Sequence, residues 1–126
     1  MQSPPSPLVN VSKAPQGPFP ESPLPPSAIR AGNPRGRGAD LMQSDDRKLT
    51  CGIWTYEPGE FEWVFGGDEF LMVLEGEVTI RQDPGESHAL RAGDIIFFPR
   101  GARTHWKITR PLKEYFVIRT PEARKM

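Results

Sequence analysis

Few residues in this sequence of 126 residues could carry acid–base, redox or metal chemistry. The chain has two histidines, His88 and His105, and a single cysteine, Cys51. A structural zinc site takes four cysteine or histidine ligands, so this set cannot build a zinc-finger type of site. One cysteine cannot form an internal disulfide, and we therefore expect a reducing, cytoplasmic setting.

Glu69 is the acidic residue whose surroundings most favour a chemical role, because it begins an apolar run that ends at Leu74. If Glu69 faces the interior of a sheet, strand alternation brings Leu71 and Val73 inward with it. Burial raises the pKa of a carboxyl group, which suits a general acid or base. Glu69 is thus a possible catalytic residue. The alternative is a structural carboxylate that accepts hydrogen bonds from its neighbours.

The chain that must position these groups consists of two different parts. Of its 15 prolines, ten lie in residues 1–34, whereas eleven of its twelve aromatic residues follow residue 53. Proline removes backbone donors, and residues 1–27 have few large apolar groups, so we predict a disordered Pro/Ser-rich leader there. Its PxxP spacings could form an SH3-type ligand, although a loose tail explains the same composition. The predicted folded domain spans residues 28–119, and residues 120–126 form a C-terminal tail.

The charge balance argues against several classes of partner. The 16 basic and 16 acidic side chains cancel, whereas a dedicated nucleic-acid binder usually carries a basic excess. No apolar run approaches the roughly 20 residues of a membrane span. The first residues, Met1–Pro5, contain neither a basic nor an apolar segment, so we expect no secretory signal. We therefore predict neither a nucleic-acid partner nor a membrane partner.

From Thr50 onward, short apolar runs alternate with Gly/Pro turns, a pattern that indicates strands. The predicted strands are residues 50–56, 61–65, 69–74, 77–82, 87–91, 95–98, 104–109 and 113–119, with an edge strand near 39–43. Many short strands at this spacing predict an all-β sandwich or barrel. Because about seventy residues give a thin core, we expect a homodimer that covers aromatic residues such as Phe70 and Phe116. We also expect the arm before Thr50 to cover a sheet edge.

An ordered series of short motifs resembles a single-domain cupin. The series comprises Gly52-Ile53-Trp54, Pro58-Gly59-Glu60-Phe61, Asp68-Glu69-Phe70, Leu74-Glu75-Gly76-Glu77-Val78, Gly93-Asp94, Phe98-Pro99-Arg100-Gly101 and Trp106. It is similar to the small-cupin family that includes the cupin domain of ureidoglycine aminohydrolase and the ethanolamine-utilisation cupins. The resemblance spans residues 28–119 in outline. It implies an RmlC-like jelly-roll barrel, the double-stranded β-helix, with a ligand cavity in its mouth.

Metal-binding cupins carry two histidine motifs, and the first of them is altered here. Glu69 is followed by six residues and a glycine, so it occupies the carboxylate position of that motif. The two histidine positions before it fall on Trp63 and Phe65, or on Glu62 and Val64. Neither pair contains a histidine, and Trp63 and Phe65 would fill the place of two metal ligands.

The second motif is better preserved, but its histidine is displaced. Gly93, five residues and Pro99-Arg100-Gly101 match the pattern, whereas its histidine position holds Thr104, and His105 follows one residue late. A shift of one residue reverses the side-chain direction in a strand, so His105 should point away from the cavity. A weak site that combines Glu69 with His105 is the remaining metal alternative. We assign no metal ligands and no cofactor.

Strand alternation predicts an aromatic lining for the barrel cavity. The predicted ligand-binding residues are Trp54, Tyr56, Trp63, Phe65, Glu69, Thr104, Trp106, Lys113 and Tyr115. Aromatic faces with one carboxylate and one ammonium suit a small polar, partly planar or cationic ligand. If Lys113 lies near Glu69, their pairing would oppose the rise in the carboxyl pKa.

Three functions remain open on the sequence alone. The first is a cupin that binds a small polar or partly aromatic metabolite without a metal. The sequence leaves open whether Glu69 also catalyses a reaction of that metabolite. The second is a metal-dependent enzyme of the ureidoglycine-aminohydrolase type, which the resemblance implies and the missing histidines weaken. The third is a structural or interaction protein that uses its Pro-rich leader as a partner ligand. In each case the barrel interior could also be no more than a core, because one fold hosts many functions.

Overall fold

The computed structural model describes residues 6–13 and 15–125, so the predictions for Met1–Pro5 concern residues outside this description. Its strands are β1 (Ile29–Gly32), β2 (Gly36–Gln43), β3 (Leu49–Tyr56), β4 (Gly59–Val64), β5 (Asp68–Gln82), β6 (Ser87–Arg91), β7 (Ile95–Phe98) and β8 (Arg103–Arg119). A short 3-10 helix, Pro26–Ala28, precedes β1. In the described part of the chain, no helix is both long and apolar enough to cross a membrane.

The two long strands β5 and β8 pair along most of their length and belong to two layers at once. Strands β7, β5, β8, β3 and β2 lie side by side in one layer. Strands β6, β5, β8, β4 and β1 form the other. The curled antiparallel sheet encloses one core, as in a jelly roll. The predicted all-β barrel is confirmed, and so is the arm before Thr50, which adds β2 to one edge of the sheet.

Strands β5 and β8 pass from one layer to the other at a bulge. We predicted strand breaks at Glu75-Gly76 and at Arg110–Leu112, and both predictions are wrong, because the strands continue through these positions. The pairing register shifts there instead. Gly76 has a φ of +91°, and a Cβ at this position would lie 2.1 Å from the carbonyl oxygen of Pro111. A glycine at positive φ beside a proline without an N–H is compatible with a bulge, which bends both strands and keeps them continuous.

The core fills the space between the two layers. Leu71 and Val73 are fully buried, as the alternation from Glu69 predicted. Phe116 is 6% exposed and faces the interior, so its predicted place on an outer surface is wrong, whereas Phe70 is 56% exposed on the outer face. The main core cluster comprises Leu24, Phe61, Phe65, Leu71, Val73, Val78, Ile80, Phe98, Ala102, Trp106, Ile108 and Leu112.

The contacts of the barrel begin before the boundary at residue 28 that we predicted. Leu24 is only 9% exposed and belongs to the core cluster. The amide of Ser22 donates a hydrogen bond to the carbonyl of Gly36 at 3.0 Å, and Glu21 forms an ion pair with Arg35. The last part of the predicted leader thus lies against the barrel. A disordered leader stays a prediction for the residues that precede these contacts.

Candidate functional site

A cavity of about 370 Å³ opens between strands β3, β4, β5 and β8. Its walls are mostly aromatic, and a few polar side chains project among the rings. Its lining residues are Ser22, Pro23, Leu24, Trp54, Tyr56, Phe61, Trp63, Phe65, Gly66, Glu69, Trp106, Glu114, Phe116, Ile118, Thr120 and Arg124. This size is within the range of small-molecule sites, which typically begin at about 300 Å³.

The aromatic rings of the cavity pack against one another. Phe61 stacks on Trp106 with a centroid distance of 5.1 Å, and Tyr56 contacts both rings, at 5.1 Å from Phe61 and 6.2 Å from Trp106. Trp54 follows at 6.5 Å from Tyr56. Trp63 differs from these rings because it is 39% exposed and lies at the open side of the cavity. The rings therefore form a preformed apolar wall, with one tryptophan accessible from solvent.

Thr104 fixes two of the tryptophans. Its hydroxyl donates a hydrogen bond to the carbonyl oxygen of Trp63 at 2.8 Å and accepts one from Nε1 of Trp106 at 2.9 Å. Thr104 is 5% exposed, so both bonds are shielded from water. The two bonds fix the indole ring of Trp106 and the backbone of β4 at Trp63. Thr104 thereby acts as a support for the cavity wall.

Glu69 lies in the cavity lining at the beginning of β5, opposite Ile118 of β8 and Phe98 of β7. Burial raises the pKa of its carboxyl group to about 7, although the positive charge of Arg124 acts in the opposite direction. Near neutral pH the group therefore exists in both protonation states. A carboxyl of this kind can donate or accept a proton, or bind a cation.

Glu114 is the second carboxyl group of the cavity, and our predicted site does not include it. It lies on β8 opposite Trp54, is 4% exposed, and its Oε2 atom has no hydrogen-bond partner among the described residues. Burial and the negative charge of Glu69 raise the pKa of Glu114 well above its usual value. The cavity thus holds two carboxyl groups that influence each other.

Trp54 and Tyr56 add polar atoms to the cavity wall beside the carboxyl groups, since Trp54 is the cross-strand neighbour of Glu114. Nε1 of Trp54 is buried and has no partner in the described part of the chain. Trp54 can lie this close to β2 because Gly38 has no side chain, and a Cβ there would be 2.4 Å from the indole ring. Burial, together with the charges of Glu114 and Glu69, raises the pKa of the Tyr56 hydroxyl well above its usual value. Tyr56 is therefore a neutral donor at physiological pH.

Arg124 is the basic side chain of the cavity lining, and it comes from the C-terminal tail. Its guanidinium lies 3.7 Å from the carboxylate of Asp40 and 5.9 Å from the centre of the Phe116 ring. Gln43 donates a hydrogen bond to the backbone carbonyl of Arg124 at 3.3 Å. Asp40 compensates the charge of Arg124, and these contacts fix the tail at the edge of the cavity.

Six of the nine predicted ligand-binding residues line this cavity. They are Trp54, Tyr56, Trp63, Phe65, Glu69 and Trp106. Thr104 faces inward but lines a neighbouring cavity of about 300 Å³ that lies beside β6 and β7. Whether the six residues bind a ligand stays a prediction.

Lys113 and Tyr115 lie on the outer face of the barrel, so their predicted inward orientation is wrong. We took a strand break before Lys113 as the start of a new alternation, whereas β8 continues and, after the bulge, keeps residues 112, 114, 116 and 118 inside. The buried residues Leu112, Glu114 and Phe116 alternate with the more exposed residues Lys113 and Tyr115. Spacing of the apolar residues 112, 116 and 118 was the sequence signal that could have identified Glu114.

His105 points away from the cavity, as predicted. Its Nε2 atom lies 3.0 Å from a carboxylate oxygen of Glu60 on the outer face of the β4–β8 pair. The combination of Glu69 with His105 is therefore not formed. Trp63 and Phe65 occupy the cavity wall with their rings, and no imidazole contributes to the lining. In residues 6–13 and 15–125, no three His, Cys, Asp or Glu side chains are grouped to hold a metal ion. The donor set does not fit the metal centre of the metal-binding cupins.

Comparisons with known proteins agree on one family. A profile described as an EutQ-like cupin domain matches residues 43–116. The acetate kinase EutQ of Escherichia coli strain K12 is 34% identical over 79 residues, which cover 62% of this chain and 34% of that protein. The acetate kinase EutQ of Salmonella typhimurium strain LT2 is 35% identical over 62 residues, which cover 49% and 27%. This chain therefore spans about a third or less of the length of the curated relatives it matches.

Solved structures share the fold. The EutQ protein of Clostridium difficile superposes with a TM-score of 0.62 at 23% identity, and the match covers 69% of each chain. A protein of unknown function from Pseudomonas syringae pv. tomato gives a TM-score of 0.72 at 26% identity, covering 79% of this chain and 43% of that one. These matches support the ethanolamine-utilisation part of the predicted resemblance, and the likeness to ureidoglycine aminohydrolase stays a prediction. On its sequence match and its barrel, the chain belongs to the EutQ-like cupin domain family.

Proposed function

We propose that the protein binds a small polar or partly aromatic molecule in the barrel cavity and needs no metal to do so. One observation carries this proposal: a buried oxygen, Oε2 of Glu114, and a buried donor, Nε1 of Trp54, both lack partners among the described residues and lie in an aromatic cavity. Buried polar groups are nearly always paired, because an unpaired one destabilises a protein by about 1–3 kcal/mol. A ligand with a donor and an acceptor would satisfy both atoms.

A purely structural interior is the competing explanation. A core without a ligand would be expected to pair its polar atoms and to leave little space. The cavity of about 370 Å³ and the exposed ring of Trp63 favour a ligand instead.

The test is a thermal-shift screen with small polar and single-ring metabolites, using Trp63→Ala as the site variant and Val64→Ala as its control. Val64 is the next residue along β4, is 59% exposed and does not line the cavity. We expect a ligand to raise the melting temperature of the wild type and of Val64→Ala, but not of Trp63→Ala. The proposal fails if nothing stabilises the wild type, or if the Trp63 variant responds equally.

The metal-dependent alternative has its own measurement. Elemental analysis of protein purified without chelators would reveal stoichiometric manganese, iron, nickel or zinc if an aminohydrolase-type centre were present. We expect substoichiometric metal, because the lining supplies two carboxyl groups and no imidazole. Turnover at Glu69 without a metal stays compatible with the proposed binding.

We further propose that a second copy of the chain covers the outer face of the β7-β5-β8-β3-β2 layer. Two rows of paired apolar residues cross its five strands. One row is Ile95, Met72, Tyr115, Ile53 and Ala39, and the other is Phe97, Phe70, Val117, Cys51 and Met42. Directly opposed residues of antiparallel strands share a face, so these side chains belong to one apolar face, in which Ile53 itself is fully covered by its neighbours. Ile95 is 66% exposed, Phe70 56% and Phe97 47%, which is unusual for such residues.

The size and charge of this outer apolar face favour self-association. Five strands about 4.8 Å apart give it a width of roughly 20 Å, enough for the centre of an interface that buries about 800 Å² per partner. Arg119 donates to Asp68 at 2.9 Å at one end, and Lys113 lies opposite Glu75 at the other. Because each end carries a matched acid and base, two copies can meet without opposing net charges.

Sedimentation velocity tests this interface. We expect a dimer at tens of micromolar wild-type protein and a monomer for Phe70→Glu, since the new charge would lie within the apolar rows. Val64→Glu, on the outer face of the other layer, should remain dimeric. A monomeric wild type would contradict the proposal.

The interaction role of the leader is the least supported alternative. The cytoplasmic setting is a separate matter and stays a prediction. Deleting residues 1–19 removes the leader before the contacts of Glu21 and Leu24 begin. We expect this variant to keep its oligomeric state and its ligand response. A partner lost from a pull-down with the shortened chain would support the leader as an SH3-type ligand.

A further inference from the structure

We propose that the ligand of the cavity is an organic cation, whose ammonium group lies between the carboxylates of Glu69 and Glu114 among the aromatic rings. This inference rests on the proposed function and specifies the charge of the ligand. It follows from the two carboxyl groups of the cavity, neither of which forms an ion pair with any described basic residue.

The carboxyl groups of the site have no ion-pair partner in the described part of the chain, and Arg124 acts on Glu69 only from beyond ion-pair distance. None of the ion pairs in the described part of the chain includes Glu69 or Glu114. The basic side chain of the lining, Arg124, already faces Asp40 at 3.7 Å. A buried charge without a partner is strongly unfavourable, so the empty cavity favours protonated carboxyl groups, and a cationic ligand would allow them to ionise.

The aromatic wall adds a second reason for a cation. Tryptophan and tyrosine faces attract ammonium groups within about 6 Å of the ring centre. Trp54 lies directly opposite Glu114 in the sheet, and its ring is followed by those of Tyr56 and Phe61. An N–H of a primary ammonium could also satisfy Oε2 of Glu114, whose partner is missing. A single ligand group would thereby use both the charge and the free acceptor.

Binding of such a cation should release a proton from the protein. Burial brings the pKa of Glu69 to about 7, and Glu114 is shifted in the same direction. The other titratable groups of the lining are Tyr56, which stays neutral, and Arg124, which stays charged. When the cation binds, a carboxyl group loses its proton to the buffer and the ligand keeps its own charge. Affinity should therefore rise as the pH increases through neutrality.

Isothermal titration with three compounds of one shape separates charge from fit. Benzylamine is a cation, benzamide is neutral and benzoate is an anion, and all three carry one aromatic ring. We expect benzylamine to bind at least about tenfold more tightly than benzamide and benzoate. We also expect its binding heat to differ between phosphate and MOPS buffers at the same slightly acidic pH, because these buffers take up the released proton with different heats.

Single substitutions test which side chains of the cavity bind the ammonium group. Glu69→Gln and Glu114→Gln should each weaken benzylamine binding by about tenfold or more and reduce proton release, with little effect on benzamide. Glu62→Gln, an exposed glutamate outside the cavity, should change nothing. Arg124→Gln should not weaken benzylamine, whereas it would weaken an anion. Circular dichroism of each variant checks that the fold is retained.

The outcomes separate this inference from the proposed function. If benzamide or benzoate binds as well as benzylamine, the ligand is not selected by positive charge and the inference is wrong, while binding in the cavity stands. If all three fail and no metabolite stabilises the protein in the thermal-shift screen, both are wrong. Binding of benzylamine without proton release and without an effect of Glu69→Gln would overturn the assigned carboxylate contacts.

Discussion

The inner and outer faces of β5 and β8 arise from the same two segments, yet each inverts what is usual for its environment. Inside, Glu69 and Glu114 place carboxyl groups among aromatic rings. Outside, Phe70 and Val117 expose apolar side chains to solvent at 56% and 40%. Glu69 and Phe70, with these opposite characters, are neighbouring residues of one strand.

The difference teaches that each face is incomplete in its own way. A cavity with unpaired polar atoms needs a ligand with complementary charge or hydrogen bonds. An exposed apolar face needs another apolar surface. One pair of strands can present both faces, because consecutive residues of a regular strand point to opposite sides of the sheet.

The largest difference between the faces should appear in core truncation. Leu71 is fully buried and Phe70 beside it is 56% exposed. Leu71→Ala should lower the free energy of unfolding by about 2–5 kcal/mol, because it removes contacts and leaves a cavity. Phe70→Ala should lower it by less than about 1 kcal/mol in dilute protein. Urea denaturation at low concentration measures both, and equal losses would contradict the assignment of the two faces.

The second difference concerns pH. Burial raises the pKa of Glu69 from 4.5 in the unfolded chain to about 7 in the folded protein. The unfolded state therefore releases its proton first, so the stabilising contribution of Glu69 is fully present below about pH 4.5 and is lost as the pH rises to about 7 and above. The loss attributable to Glu69 is about 3 kcal/mol. Glu114 is raised by the same cause and acts in the same direction.

Urea denaturation across this pH range measures that slope. Glu69→Gln should flatten it and should be more stable than the wild type at mildly alkaline pH. Glu62→Gln, outside the cavity, should leave the slope unchanged. A wild-type stability that rises between about pH 5 and 7 would show that Glu69 is not a buried carboxyl group in the ligand-free protein.

A smaller effect is expected from the support of the tryptophans. Thr104→Val removes the hydroxyl that bonds to Trp63 and Trp106 and leaves a buried indole N–H unpaired. The expected loss is about 1–3 kcal/mol, with a change in tryptophan fluorescence. Thr109→Val, at an exposed position of the same strand, is the control and should change stability by less than about 0.5 kcal/mol. Equal losses of stability in the two variants would contradict the role of Thr104 as a support for the cavity wall.

The smallest effect on stability should come from an exposed ion pair in the other layer, between β1 and β4. Arg30 contacts Glu62 at 2.8 Å, and both side chains are nearly half exposed. Such pairs contribute about 0–1 kcal/mol and are screened by salt. Glu62→Gln should change the free energy of unfolding by less than about 0.5 kcal/mol, and a larger effect that persists at high salt would contradict this view of the outer face.

Much of this comparison could be predicted from local sequence. Period-two alternation around Glu69 correctly placed Leu71, Val73 and the aromatic wall, because such patterns depend on a single continuous strand. Prediction failed at the bulge. Gly76 and Pro111 resemble turn residues, and only their contact across two long strands distinguishes a bulge from a turn. That contact joins residues far apart in the chain, which a local pattern cannot reveal.

The failure had a direct consequence for the site. A turn before Lys113 led us to place Lys113 and Tyr115 inside, whereas the continuous strand places Glu114 and Phe116 there. The predicted acid–base pair of Glu69 with Lys113 thus became a pair of carboxyl groups. The charge expected of the ligand depends on this change.

The ionisation of Glu69 and Glu114 tests the central claim most directly. Carbon-13 NMR of protein labelled at the glutamate carboxyl carbons, with Glu69→Gln and Glu114→Gln for assignment, follows each group during a pH titration. We predict a resonance from Glu69 that titrates near pH 7 and one from Glu114 that titrates well above the exposed glutamates. Two carboxyl groups that titrate with the exposed glutamates, near their usual pKa of about 4.3, would contradict the account.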